Sequence, residues 1–481
     1  MSLAALALLL FAVPAHSESL TLDDCRISGG PGYPGIKARC GTMLRPENPD
    51  DPESPPISLR VAVVAALNLE PQPDPVVPLA GGPGQGAVQF YSAYSAAFEP
   101  LRRDRDILLV DQRGTGESSR LDCPVDVDVL EGEYSTEETV QFMRDCLEEL
   151  PHDPRYFTTS VAVADLEAVR DALGYSALNL YGVSYGSRVA QHFARRYPES
   201  TRTIVLDGVV PPQLALGPEI ATESQKAINR ILARCSNDAV CAERFPALED
   251  SFTRLVARLR TAPELVDVPH PNTGRIEELR FGATELAGAV RLLAYHPNTI
   301  ALLPLMIHEA GDGNFVPLAS QYRLTVLSLA EAIALGMHNA VMCSEDVPFY
   351  DRTTIDYDAL AASYMGTFQV ETLEAMCSVW PQGPLDAGFK VPLATDIPVL
   401  LLSGDADPIT PPRYADLAAV DLGNARHLIG KHQGHGQIGV GCTRRLIASF
   451  VAAADPDVID AECLEHSFVM PFFIDFSGPQ P

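Results

Sequence analysis

The sequence predicts an α/β fold: a mostly parallel, doubly wound sheet interrupted once by a mainly helical insertion. Two observations carry this. Short apolar runs, VVPLA at 76–80, DILLVDQ at 106–112, LNLYGV at 178–183 and TIVLDGV at 203–209, alternate with helix-length segments such as SVAVADLEAVRDALG at 160–174. Runs without polar alternation are how strands read when a sheet is covered on both faces. The alternation then stops near residue 211 and returns at DIPVLLLSGDADPITPP (396–412) and ARHLIGKHQGHGQIG (425–439).

Taken in order, MSLAALALLLFAVPAHS opens the chain with an apolar stretch from Leu3 to Ala15 followed by small residues. This is the layout of a secretory signal without its basic n-region, and it assigns residues 1–18 to a leader and the protein to export, periplasmic or extracellular. Pro-rich stretches at 46–56 and 71–78 bracket ISLRVAVVAALNL, whose β-branched residues predict a strand in an edge hairpin. Residues 19–210 then form the first part of the sheet domain. Residues 211–390 carry helical patterns (AINRILARC, FTRLVARLR, ATELAGAVRLLAY, LTVLSLAEAIALGM) and read as a helical cap; 391–481 complete the sheet. No later stretch is long and apolar enough to span a bilayer.

The chain has 481 residues, more than one plain core usually organises, which agrees with a domain bearing an insertion. Acidic residues number 63 against 35 basic, a formal net charge of −28 that opposes nucleic acid as a partner and suits a cationic substrate group. Ten cysteines, at 25, 40, 123, 146, 235, 241, 343, 377, 442 and 463, form an even set without a CxxC. Sequential pairing closes five short loops, with 123–146 the least favoured of them, and an oxidising compartment is where such bonds persist.

The chemistry centres on LYGVSYGSRVA, in which Gly182 and Gly186 flank Ser184 between a strand and a helix. Small residues on both sides of a serine permit the tight strand-to-helix turn that lifts its hydroxyl above the sheet edge. A serine hydroxyl needs a base, and the base needs a carboxylate to orient it, in the chain order serine, acid, histidine. In LLLSGDADPITPP, Asp405 and Asp407 stand just past an apolar strand, and in KHQGHGQIG His432 and His435 lie in a glycine-rich loop after the next; Asp407, opening the DPITPP turn, and His435 are the preferred pair. A metal reading of the two histidines lacks an accompanying carboxylate or cysteine cluster, so neither a metal nor an organic cofactor is expected. Oxyanion donors come from backbone amides: Tyr185, after the serine, and Gly82, in the loop LAGGPGQG after the strand at 76–80.

These residues resemble α/β-hydrolase serine peptidases of the prolyl iminopeptidase and secreted tripeptidyl aminopeptidase type. GGPG (81–84), DQRGTGES (111–118), GVSYGS (182–187), GDADPITP (404–411) and GHG (434–436) carry the resemblance, with further agreement in VMCSEDVPF and MCSVWPQG. Ala80 departs from the histidine that prolyl iminopeptidases usually place before the glycines, which favours the secreted branch. The resemblance implies the α/β-hydrolase fold, Ser184 as nucleophile, Asp407 as orienting acid, His435 as base, and Asp111 and Arg113 bracing the loop beside the site. It further implies an aminopeptidase releasing one to three residues from a free peptide N-terminus through an acyl-enzyme. Glu345 and Asp346, in the insertion, are the carboxylates expected to bind the substrate ammonium group. A carboxylesterase or lipase would use the same triad and a cap without acidic anchors; a binding module that has lost catalysis would lack a triad residue.

Overall fold

The computed structural model describes residues 20–28, 30, 34–123 and 135–479; the leader assigned to residues 1–18 lies outside them. Nine strands form one sheet: β1 (Asp23–Ile27), β2 (Ile36–Pro46), β3 (Pro56–Val64), β4 (Val76–Leu79), β5 (Ile107–Val110), β6 (Leu178–Val183), β7 (Thr201–Asp207), β10 (Val399–Gly404) and β11 (Ala425–Gly430), with β8 (Glu264–Pro269) and β9 (Ile276–Phe281) forming a separate hairpin. The spatial order is β1-β2-β3-β5-β4-β6-β7-β10-β11. The first three strands join antiparallel and β3 meets β5 antiparallel; every later neighbour is parallel.

The parallel strands read as continuous apolar runs for the reason expected. Every residue of β5, β6 and β10 is buried, because helices cover both faces. One face holds Leu108, Leu166, Val169, Phe193, Ile204 and Leu401; the other holds Phe90, Phe98, Tyr181, Val205, Leu400 and Phe450. The segment ISLRVAVVAALNL joins β2 in an antiparallel hairpin, as expected, but not at the sheet edge. Its strand β3 stops at Val64 and lies third in the sheet, while the edge falls to β1, fastened to β2 by Cys25–Cys40.

The insertion is more mixed than a helical cap. Helices Ile220–Asn237, Leu248–Thr261, Ala283–Leu293, Leu303–Gly311 and Val316–Ala332 enclose a core of their own around Ile231, Phe252, Leu255, Val290, Ile307 and Tyr322. The β8–β9 hairpin completes it, burying Val266 and Val268 in strict alternation. Helix Leu335–Glu345 behaves differently: Met337, Ala340 and Val341 pack into the sheet's own cluster, so this helix joins the insertion to the sheet domain. On one side it meets Leu121 and Phe157 of the sheet domain, and on the other Met342 packs against Leu216 and Leu373 of the insertion. All five sequential disulfides are present, Cys123–Cys146 included. Among the described residues no helix is long and apolar enough to cross a membrane.

Strand registers decide where chemistry can gather. Leu79 pairs with Gly182, Val183 with Asp207, Leu402 with Asp207 and Gly404 with Gly430. The C-terminal ends of five parallel strands therefore line one rim, and the loops leaving it carry Gly82, Ser184, Gly208, Asp407 and His435. That rim is where open parallel sheets place their sites.

Candidate active site

Ser184 leaves β6 and enters helix Tyr185–Arg196 with φ 55° and ψ −126°, a conformation that side chains other than glycine rarely adopt. The flanking glycines explain how the turn fits. A Cβ on Gly182 would lie 2.3 Å from the Gly186 carbonyl oxygen, and one on Gly186 would lie 2.0 Å from that of Leu79. The helix thus crosses β4 and β6 closer than any side chain allows. The Ser184 amide donates to the Asp207 carbonyl at 2.9 Å, tying the elbow to the neighbouring strand.

Of the two acids, Asp407 is the one that meets a histidine. Its Oδ2 lies 2.8 Å from His435 Nδ1 and accepts the Thr410 hydroxyl at 2.7 Å, while Oδ1 accepts the amides of Ile409 and Thr410, each at 2.9 Å. Asp405 instead accepts the His432 amide at 2.6 Å and shapes the loop. With Nδ1 facing Asp407, the proton belongs on that nitrogen and Nε2 is left with its lone pair. His435 is lodged against the end of β7: a Cβ on Gly208 would stand 3.0 Å from its Cε1. Ser184 thus adjoins Asp207 and His435 adjoins Gly208, the next residue along.

Burial is the largest influence on His435 and disfavours its cation, but the charges of Asp407 and Asp207 outweigh it and hold the imidazole above its ordinary range. Burial likewise pushes Asp407 up, and the His435 cation with the amides of Thr410 and Ile409 more than reverses this, so the carboxylate stays ionised.

On the other side of the serine lies the glycine loop. A Cβ on Gly81 would sit 3.0 Å from the Ser184 Cβ, which places this loop in contact with the serine, and Gly82 has φ 110°. The Tyr185 amide is the first of its helix and has no intrahelical acceptor. Tyr295, just past helix Ala283–Leu293, covers the histidine. Its carbonyl accepts the His435 amide at 2.7 Å, and its ring stands edge-on to the imidazole at 5.0 Å.

One residue the motifs did not single out is Asp207. Its buried carboxylate accepts the Gln437 amide at 2.8 Å, the Ile438 amide at 3.0 Å and the Tyr181 hydroxyl at 2.6 Å. Burial is the main reason its pKa is pushed up to about 6. Its main chain thus holds the elbow and its side chain holds the loop just after His435. The signal was present in TIVLDGV, where an acid ends an otherwise apolar strand. Asp111 and Arg113 do brace the adjacent loop: Asp111 accepts the amides of Val88 and Glu117 at 2.9 and 3.0 Å, and Arg113 grips Asp165 through two nitrogens at 2.6 and 3.0 Å.

Glu345 and Asp346 are not placed to meet a substrate ammonium. Both are 0% exposed. Asp346 is gripped by Arg188 through two nitrogens, each at 2.8 Å, with Lys390 at 3.3 Å, and accepts the Leu216 amide. Glu345 accepts the Thr159 amide at 2.7 Å and its hydroxyl at 2.9 Å, with Arg188 at 3.8 Å. Burial pushes Glu345 upward, with Arg188 pulling the other way; Asp346, nearer the guanidinium, is held down despite burial. The sequence expectation failed because Arg188 and Thr159, which engage them most closely, lie 158 and 186 residues away along the chain.

A parallel sheet with a strained serine elbow on one strand and a carboxylate-bound histidine at the same rim defines the α/β-hydrolase class. Comparison with known proteins agrees. A family model described as alpha/beta hydrolase fold matches residues 74–230, and one described as TAP-like protein matches 362–463. Serine protease Hip1 of Mycobacterium tuberculosis is 27% identical over 464 residues, spanning 86% of this chain and 84% of that protein. Tripeptidyl aminopeptidase of Streptomyces coelicolor is 27% identical over 148 residues, 27% of each chain, and proline iminopeptidase of Xylella fastidiosa is 31% identical over 145 residues, 29% of this chain and 33% of that one. The chain has the α/β-hydrolase fold and is similar to serine peptidases over most of its length.

Proposed function

We propose that this protein is an exported serine exopeptidase that cleaves near a free peptide N-terminus, with Ser184 as nucleophile, His435 as general base and Asp407 as its orienting acid. The observation that carries the reading is the His435–Asp407 pair at 2.8 Å, seated on Gly208 beside the strained Ser184 elbow. The Ser184 hydroxyl adds to the scissile carbonyl as His435 Nε2 takes its proton; the carbonyl oxygen becomes an anion held by the amides of Gly82 and Tyr185. Collapse expels the amine, which takes the proton back from His435. Water, deprotonated by the same nitrogen, then releases the acyl group from Ser184. Similarity to aminopeptidases supports the preference for N-termini. Five disulfides support an oxidising, extracytoplasmic destination.

One observation favours a second reading, ester hydrolysis: the two carboxylates expected to anchor an ammonium group are consumed inside the protein. A single comparison decides. Aminoacyl anilides and N-terminally free peptides should be turned over and their N-blocked counterparts spared, with products identified by mass; efficient cleavage of simple acyl esters alone would replace the peptidase reading. Ser184→Ala should abolish turnover while leaving the fold intact, and retained hydrolysis would refute the nucleophile.

A further inference from the structure

Helix Leu335–Glu345 lies in the insertion by sequence, yet its two ends reach the two sides of the oxyanion site. At its start, the Ala334 amide donates to the Gly84 carbonyl at 3.0 Å, and Ile333 forms a bridge with Gln85. The approach is close: a Cβ on Gly84 would stand 2.8 Å from the Ala334 oxygen, and one on Gly82 would stand 3.1 Å from the Ile333 side chain. One turn on, His338 Nδ1 lies 3.3 Å from the Pro83 carbonyl. These contacts all fall on the loop that carries Gly82.

At its end, the helix grips the first turn of the elbow helix. Gln112 Nε2 donates to the Tyr185 hydroxyl at 3.0 Å, that hydroxyl lies 2.6 Å from Thr159 Oγ1, and Thr159 Oγ1 donates to Glu345 at 2.9 Å. The carboxylate can only accept, so each hydroxyl in turn donates toward it: Tyr185 to Thr159, and Thr159 to Glu345. Asp346 adds a second grip through Arg188, one turn beyond Tyr185 on the same helix. Spanning 11 residues, the helix is a rigid rod of roughly 16 Å, and Cys343–Cys377 fastens it to helix Phe368–Cys377.

We infer that helix Leu335–Glu345 is a strut that sets the spacing of the two oxyanion donors, with Glu345 a positioning residue acting on Tyr185 through Thr159. The inference rests on Ser184 being the nucleophile. It makes the insertion part of the transition-state machinery, and it gives Glu345 a role opposite in kind to an ammonium anchor: it works through hydrogen-bond acceptance and the geometry of the developing oxyanion, and not through charge on the bound substrate.

The test uses the full disulfide-bonded protein, a peptide anilide substrate, its peptide aldehyde and its released acyl product. The aldehyde carbon bonds to the Ser184 oxygen, the serine proton passes to His435, and the aldehyde oxygen occupies the donor site, so its affinity reports that geometry. Glu345→Ala should lower kcat about tenfold to hundredfold, leave KM within about twofold, weaken the aldehyde in parallel with kcat/KM and leave product affinity unchanged. Glu345→Gln should restore most of the loss, because an amide still accepts from the Thr159 amide and the hydroxyl chain can reverse if Gln112 turns over. A raised KM with normal kcat, an aldehyde affinity that does not follow kcat/KM, unchanged kinetics, or a glutamine variant as impaired as alanine would each overturn the strut. Should Glu345→Ala fail to fold, Thr159→Val severs the same chain and is held to the same outcomes. Failure of a fluorophosphonate to label wild-type Ser184 would refute the nucleophile itself, a result distinct from any of these.

Discussion

Gly186→Ala isolates the steric demand of the elbow. The added methyl group would meet the Leu79 carbonyl oxygen at 2.0 Å, its carbon at 2.6 Å and the Ala80 oxygen at 2.7 Å, all main-chain atoms of β4 and the start of the glycine loop. No rotamer relieves a clash with backbone, so helix and strand must separate by at least about 1 Å, and the displacement falls between Ser184 and the Gly82 loop. A misplacement of about 1 Å costs on the order of 100-fold in rate, or about 2.7 kcal/mol of barrier. Overpacking of this kind costs about 1–3 kcal/mol of stability. Steady-state kcat/KM on a peptide anilide, with the melting temperature measured alongside, reads both terms. Gly311→Ala is the control, since nothing lies within 4 Å of its added atom, and it should match wild type in both. Activity of Gly186→Ala within about threefold of wild type would refute the argument that this glycine is required by contact.

Further outcomes follow from the charges at the rim. Because Asp407 and Asp207 hold His435 above its ordinary value, the acid limb of kcat/KM should lie above about pH 6.5, and a limb at or below that value would contradict it. The raised histidine also stabilises the fold fully below about pH 6.5 and loses that contribution as pH climbs through the folded value, which a melting series against pH would detect. In Asp407→Asn the limb should move to lower pH and kcat should fall by up to about 10⁴, as expected when the ring loses its orienting acid. Asp207→Ala should leave two amides and the Tyr181 hydroxyl without their acceptor. At about 1–3 kcal/mol for each group this destabilises by roughly 3–9 kcal/mol and loosens the His435 loop; a variant as stable and active as wild type would show that Asp207 does not tie elbow to loop.

The elbow, the strands and the cysteine pairs were legible in the amino-acid sequence because each is a local demand. Gly182 and Gly186 are glycines since a Cβ there would stand 2.3 and 2.0 Å from a neighbouring carbonyl oxygen, β5, β6 and β10 are unbroken apolar runs since both faces are covered, and each disulfide closes a loop of at most 34 residues along the chain. The β8–β9 hairpin was harder to see, being two six-residue strands among long helices. Long-range pairing decided the rest. Asp405 and Asp407 are two residues apart, and although the DPITPP turn favours Asp407, only the fold brings it to His435 and turns Asp405 to the His432 amide. Glu345 and Asp346 look like any exposed acidic pair until Arg188 and Thr159 arrive from 158 and 186 residues away to neutralise and bury them. A charge's role is set by what surrounds it in space, since burial and pairing energies depend on distance and not on order along the chain; local pattern records backbone geometry and apolar periodicity, and carries no trace of which distant cation will meet which carboxylate.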